Sequence, residues 1–175
     1  MNYDYAIVEL NYVNHFGTRS LLILDEAHNI ENKLMSTMEV TLYNRTLEKD
    51  ISKIMSDSIL KDGELEDWIM EVDAIRDAYE DIDLKDESKN KAERIRSTIS
   101  RLKTLKINLE KEPRNWVIDT DETSVTFKPL RVHQYAKSNL LKYGDVVIFM
   151  SATILSHKMF SKWLGLNPNE VYHIK

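Results

Sequence analysis

The chain has 175 residues, a net charge of −5, 42% hydrophobic and 30% charged residues, and no cysteine. That balance fits one or two globular cores and gives little support to a surface that grips phosphates over a broad area. It excludes disulfides, zinc–thiolate sites and iron–sulfur ligation within these residues, and a reducing cytoplasm is the expected compartment.

Residues 3–14 (YDYAIVELNYVN) predict a short helix, and the opening MNYDYAIVEL lacks the basic start of a secretory signal. Leu21-Leu22-Ile23-Leu24 is a short unbroken apolar run that stops at an acidic pair, the pattern of a strand buried on both faces of a parallel sheet. Leu47, Ile51, Ile54, Met55 and Ile59 recur at helical spacing, as do Leu65, Trp68, Val72, Ile75 and Tyr79. Ala92, Ile95, Ile99, Leu102, Leu105 and Leu109 form a narrow seam in a charged segment that Pro113 ends. Residues 81–91 read as an exposed connection.

After Pro113 the period shortens. Trp116 and Ile118 alternate, as do Val125 and Phe127, around the polar stretch Asp119–Thr123, which predicts a hairpin. A helical pattern returns over Val132–Tyr143. Val146-Val147-Ile148-Phe149-Met150 is a second buried-strand run, ending at Ser151-Ala152-Thr153. Ser156 caps a last helix to about Leu164, with Gly165 just past its end. No apolar run approaches the ~20 residues of a membrane span. A parallel strand pair needs a crossover of a dozen or more residues, and roughly 120 separate these two runs. A helical domain inserted between two neighbouring strands of one sheet accounts for that length.

Two short motifs carry the chemistry. Asp25-Glu26-Ala27-His28 comes directly after LLIL. At a strand end the first acid can hold magnesium through its water shell, and the second can polarise an attacking water as general base. An acidic pair that caps the next helix, with His28 a bystander, accounts for the same residues structurally. Ser151 and Thr153 can cap a helix too; beside an Asp-Glu-Ala-His strand their hydroxyls can also hydrogen-bond His28.

LLILDEAHNIE (Leu21–Glu31) resembles motif II of the XPD/DinG family of helicases in the second helicase superfamily. FMSATILSHKMFSKWLGL resembles that family's motif III and the helix after it. Asn2-Tyr3-Asp4-Tyr5 is similar to a segment that precedes motif II there, and the hairpin ending at Lys128-Pro129-Leu130 sits where the family has one. The resemblance implies a partial RecA-like parallel sheet, with strands at about 21–25 and 146–150, interrupted by a mainly helical Arch-like insertion that carries the hairpin. The implied domains are 1–34, 35–131 and 132–175, the first and last belonging to one motor lobe. Asp25 is then the magnesium-binding acid, Glu26 the hydrolytic base, and His28 the coupling residue with Ser151 and Thr153 as partners. ATP and Mg2+ are the implied cofactors. Single-stranded DNA and the remaining helicase domains are the implied partners, with DNA repair as the family's usual setting. Many members hold an iron–sulfur cluster upstream of motif II, a region outside this sequence.

The departures matter as much. None of the four glycines belongs to a phosphate loop, and no Gly-Arg pair marks the second motor lobe. The expectation is a helicase piece without ATPase activity of its own, self-associating through uncovered strands. A non-catalytic interaction module or split subunit is the alternative, and an RNA helicase piece a third. Trp68, Trp116 and Trp163 fall on core-like spacings. Arg94, Arg96, Arg101, Lys103, Lys106 and Lys111 read as a solvated face, or else as a basic strip. His133 and Tyr135 are read either as core or as lining a strand path.

Overall fold

Two short strands with their side chains in register define one half of the molecule. In the computed structural model, which describes Tyr3, Ile7 and residues 17–85, 87–154 and 156–174, β1 (Arg19–Leu24) pairs in parallel with β5 (Gly144–Phe149). The partners run from Arg19 opposite Gly144 to Leu24 opposite Phe149. Gly144 is required by closeness: a Cβ there would lie 2.6 Å from the Leu22 Cβ. The helix expected at 3–14 lies outside the described residues, apart from Tyr3 and Ile7.

The chain is mixed α/β and divides into two compact units, one of Met1–Met38 with Leu130–Lys175 and one of Glu39–Pro129. The first holds β1, β5, α1 (Ile30–Met38), α6 (His133–Asn139) and α7 (His157–Trp163). Its core is Leu24, Ala27, Ile30, Leu34, Val132, Ala136, Leu140 and Leu164, with Ile7 also buried there. Phe149 and Phe160 meet edge to face at 5.2 Å between ring centres, joining β5 to α7. The end of α7 is set by Gly165 at φ 65°: the Gly165 N–H reaches the Lys162 carbonyl and the Leu166 N–H the Ser161 carbonyl. A left-handed glycine lets these otherwise orphaned carbonyls be satisfied.

The strands are not buried on both faces, as their apolar runs predict. Leu22, Leu24, Val147 and Phe149 face the core, whereas Ile23 is 55% and Ile148 42% exposed, with Leu21 and Val146 exposed beside them. Continuous apolar sequence records what a strand is built to bury, not whether the covering layer lies in the same chain.

The second unit holds α2 (Asn44–Ile51), α3 (Asp57–Asp62), α4 (Leu65–Glu80), α5 (Lys89–Lys111) and a three-stranded antiparallel sheet. The expected hairpin is β3 (Trp116–Thr120) with β4 (Ser124–Pro129). The sequence pattern gives no sign of β2 (Val40–Tyr43), which pairs with β4 to give the order β2-β4-β3. Four residues are too few for a periodicity signal. The helical repeat over 47–59 also breaks. Ser52 turns left-handed at φ 53°, Ser56 caps α3, and the Met55 N–H is held by the Asn44 side chain at 2.8 Å. The apolar period survives because Leu47, Met55 and Leu60 all still point inward.

Polar chemistry frames this core. Asp121 accepts the N–H groups of Thr123 and Ser124, both at 2.8 Å, closing the hairpin turn, and these bonds hold its carboxyl below the usual range. Asp50 accepts from Tyr79 at 3.0 Å and Arg94 at 2.9 Å, tying α2, α4 and α5 together. Arg101 donates to the Glu39 carbonyl, and Lys106 pairs with Asp73 at 2.6 Å. Three members of the candidate basic strip are thus already engaged within the unit, as a solvated, compensated face requires. Trp68 and Trp116 are core residues, and Trp68 meets Phe127 edge to face at 5.7 Å.

Candidate functional site

The parallel pairing carries β1 and β5 out of the sheet side by side, so the loop leaving one strand meets the loop leaving the other. The Met150 N–H donates to the Leu24 carbonyl at 2.8 Å, and the Ala27 N–H donates to the Met150 carbonyl at 2.9 Å. These two bonds extend the ladder past its last paired residues and clasp the Asp-Glu-Ala-His loop to the Ser-Ala-Thr turn. Ala27 is fully buried.

Between the clasping bonds the chain takes a costly conformation. Glu26 is left-handed, at φ 50° and ψ 43°, a region that costs a non-glycine residue about 1–2 kcal/mol. The strain is held by local bonds. The Asp25 carboxylate accepts the Glu26 N–H at 2.8 Å, and the Glu26 carbonyl accepts the Asn29 N–H at 3.0 Å. Non-glycine residues held this way concentrate at functional sites. The effect is to turn the exposed Asp25 and Glu26 carboxylates outward at the strand tip while Ala27 and Ile30 stay in the core.

His28 lies in the 3-10 turn immediately after this loop. Its Nδ1 is 2.9 Å from the Ser151 Oγ and 3.3 Å from the Glu26 Oε2. Ser151 Oγ is in turn 3.3 Å from Thr153 Oγ1 and accepts the Thr153 N–H at 3.2 Å. With a proton on Nδ1 the ring donates toward both the serine and the carboxylate, and the serine hydroxyl is free to donate to Thr153. Glu26, His28, Ser151 and Thr153 therefore form one continuous polar chain across the ends of two strands. Asp25 stands beside it, joined through the Glu26 backbone.

Two residues here have positions that the sequence does not signal. The Tyr3 hydroxyl donates to the Asp25 backbone carbonyl. Burial first, then the charges of Asp25 and Glu26, push its phenol up to about 12, so it is a neutral donor throughout the physiological range. In sequence the segment around Tyr3 stands out only as a family-like string, and no periodicity links it to a residue 22 positions on. The other is Trp163, expected in the core but 50% exposed. It lines a pocket of about 220 Å3 between α7, the Ser-Ala-Thr turn and the start of α1. A seven-residue helix offers barely two turns, too few for a single residue's spacing to decide which face it takes. Tyr135 is buried, and His133 is partly buried.

Magnesium can be tested against these donors. Among the described residues no three His, Cys, Asp or Glu side chains gather to hold a metal directly. Asp25 spends Oδ1 on a backbone N–H and has its other oxygen without a partner among the described residues. One open carboxylate oxygen suits an ion that keeps most of its water shell and takes phosphate oxygens as further ligands. The donor set fits magnesium held through water by Asp25, and does not fit a caged structural metal.

Neither a family model nor a curated protein matches the chain. Among solved structures, one named XPD helicase aligns over 94% of this chain at 16% identity and a TM-score of 0.44. The chain spans about a third of that structure, 33% of its length. No helix among the described residues is long and apolar enough to cross a membrane.

Proposed function

We propose that this chain is part of an ATP-dependent DNA helicase motor, contributing the hydrolytic wall of its first RecA-like lobe and an Arch-like helical insertion over Glu39–Pro129. The observation that carries this reading is the bond from His28 to Ser151, 2.9 Å long, which links an acidic strand tip to the hydroxyl turn of the neighbouring strand. An acidic helix cap with a bystander histidine requires no such link.

In this reading Glu26 orients and deprotonates the attacking water, for which its exposed, outward-turned carboxylate is suited. Asp25 holds magnesium through water, and that ion neutralises charge growing on the transferred phosphoryl group. His28 senses the protonation of Glu26 through Nδ1 and passes it to Ser151 and Thr153, so that ATP state and grip on single-stranded DNA change together. The clasp between Ala27 and Met150 fixes the distance over which that signal travels. The phosphate loop and the second lobe would come from residues beyond these, as would any iron–sulfur cluster.

Steady-state ATP hydrolysis with single-stranded DNA tests the proposal. The chain alone is expected to turn over negligibly. A longer protein that contains it behind a phosphate loop is expected to hydrolyse ATP and to lose about 2–4 orders of magnitude in rate with Glu26→Gln, the usual range for a general base. Undiminished turnover in that variant overturns the assignment of Glu26. Robust turnover by the chain alone, abolished by Glu26→Gln, overturns the claim that it is a piece and keeps the base. An RNA oligomer that stimulates hydrolysis better than DNA moves the proposal to an RNA motor.

A further inference from the structure

The pocket beside Trp163 shares His28 and Thr153 with the polar chain, but the chemistry proposed above makes no use of its apolar walls. At about 220 Å3 it is smaller than the ~300–1,000 Å3 of clefts that enclose drug-sized ligands. It is on the scale of one large side chain, not a nucleotide. Its walls are Ile154, Met159, Phe160 and Trp163, and its polar rim includes His28 and Glu31.

Charge decides what such a pocket accepts. No lysine or arginine lines it among the described residues. The Glu31 carboxylate is half-buried on α1 with no ion-pair or hydrogen-bond partner among the described residues, while Glu26 and Asp25 stand exposed in the preceding loop. The one rim nitrogen base, His28, is already engaged by Ser151 and Glu26. Glu31 is the one carboxylate that lines the pocket and disfavours an anion inside it, while Lys158 and Lys162 stand exposed on α7 outside the lining. A purely apolar side chain would fill the walls but bury Glu31 further without compensation, a costly outcome for a carboxylate. A long side chain with an apolar stem and a planar cation meets both demands. Its methylenes pack against Met159 and Phe160, its guanidinium lies over the Trp163 indole, and its forked N–H groups satisfy Glu31.

We propose that this pocket is a docking site for an arginine side chain presented by a partner polypeptide. Free arginine is a poorer occupant, because its α-ammonium and α-carboxylate must both be desolvated where a polypeptide presents neutral amides. The inference is independent of ATP hydrolysis and holds whether or not the chain belongs to a motor.

The test uses the chain itself, titrated with acetyl-arginine amide and with acetyl-citrulline amide, which has the same shape without the charge. Binding is read by Trp163 emission and independently by saturation-transfer NMR of the ligand. Acetyl-arginine amide is expected to bind at least about tenfold more tightly than the citrulline compound, and Glu31→Gln to erase most of that preference. Trp163→Phe is expected to remove the emission change and weaken the NMR signal. The proposal is overturned by equal binding of the two amides, by a preference that survives Glu31→Gln, or by no NMR signal with acetyl-arginine amide. Tighter binding of free arginine overturns the polypeptide source. Saturation of the Trp163 response by a thymidine oligonucleotide, with none from the arginine compound, replaces it with base stacking.

Discussion

The two compact units treat apolar surface in opposite ways. The helical unit closes on itself: α4 and α5 pack along their seams, the three-stranded sheet adds Phe127 against Trp68, and Asp50 ties three helices with two charge-assisted bonds. The strand-pair unit covers only one face of its sheet and leaves Leu21, Ile23, Val146 and Ile148 in view. Each unit holds one non-glycine residue left-handed among the described residues, but Ser52 ends a helix of the scaffold whereas Glu26 sits at the strand tip beside exposed acids. The first unit spends its polar groups on holding shape, whereas the second aims them outward. A self-sufficient scaffold and an incompletely covered, strained strand tip are what one expects where structure and chemistry are assigned to different parts of a chain.

Opening the closed core of the helical unit carries the greatest cost. Phe127→Ala removes a fully buried ring and its contact with Trp68, and is expected to cost about 3–5 kcal/mol in urea unfolding monitored by Trp emission. A loss below about 1 kcal/mol would mean that sheet and helices do not share a core. The two faces of β1 give a paired test. Leu24→Ala, on the buried face, is expected to cost about 2–5 kcal/mol, while Ile23→Thr on the open face stays within about 0.5 kcal/mol. Equal costs would show that something covers the open face.

A smaller effect concerns the Asp50 tie. The Asp50 side chain is 3% exposed. Burial alone would raise its carboxyl, but hydrogen bonds from Arg94 and Tyr79 outweigh it and hold it below its ordinary 3.8. Asp50→Asn is expected to cost about 1.5–3 kcal/mol, the range for hydrogen bonds to a charged group. The depressed value sets the sign with pH. The wild-type advantage over the variant is complete above the unfolded carboxyl value, and shrinks as pH falls below 3.8 through the folded one. An advantage that persists unchanged into stronger acid would show that the charge is not what ties the helices.

Much of the fold is legible in the sequence because its signals are long or sharply punctuated. The 23-residue α5 shows its seam at Ala92, Ile95, Leu102, Leu105 and Leu109, and the run ends before Pro113. The hairpin shows in the alternation of Trp116, Val125 and Phe127 about a turn that Asp121 closes. The features that stay hidden are short or relational. The four residues of β2 have no pattern of their own, and the break at Ser52 costs nothing in apolar period. At the site, the motifs Asp25-Glu26-Ala27-His28 and Ser151-Ala152-Thr153 are visible as strings. The left-handed Glu26, the bond from Tyr3 and the exposure of Trp163 are not, since each depends on residues far apart in sequence or on a single backbone angle.

That backbone angle gives the smallest and most local test. Glu26→Gly and Glu26→Ala both remove the carboxylate, so the difference between them isolates the conformation. Glycine tolerates φ near 50° without penalty, whereas alanine retains the Cβ clash. The glycine variant is expected to be more stable than the alanine variant by about 1 kcal/mol in thermal or urea unfolding, although glycine is ordinarily the weaker residue. An alanine variant of equal or greater stability would mean that the loop relaxes once the side chain is gone, and that Glu26 is not held under strain. If the expected order is found, the wild-type glutamate sits where a glycine would be favoured on stability alone.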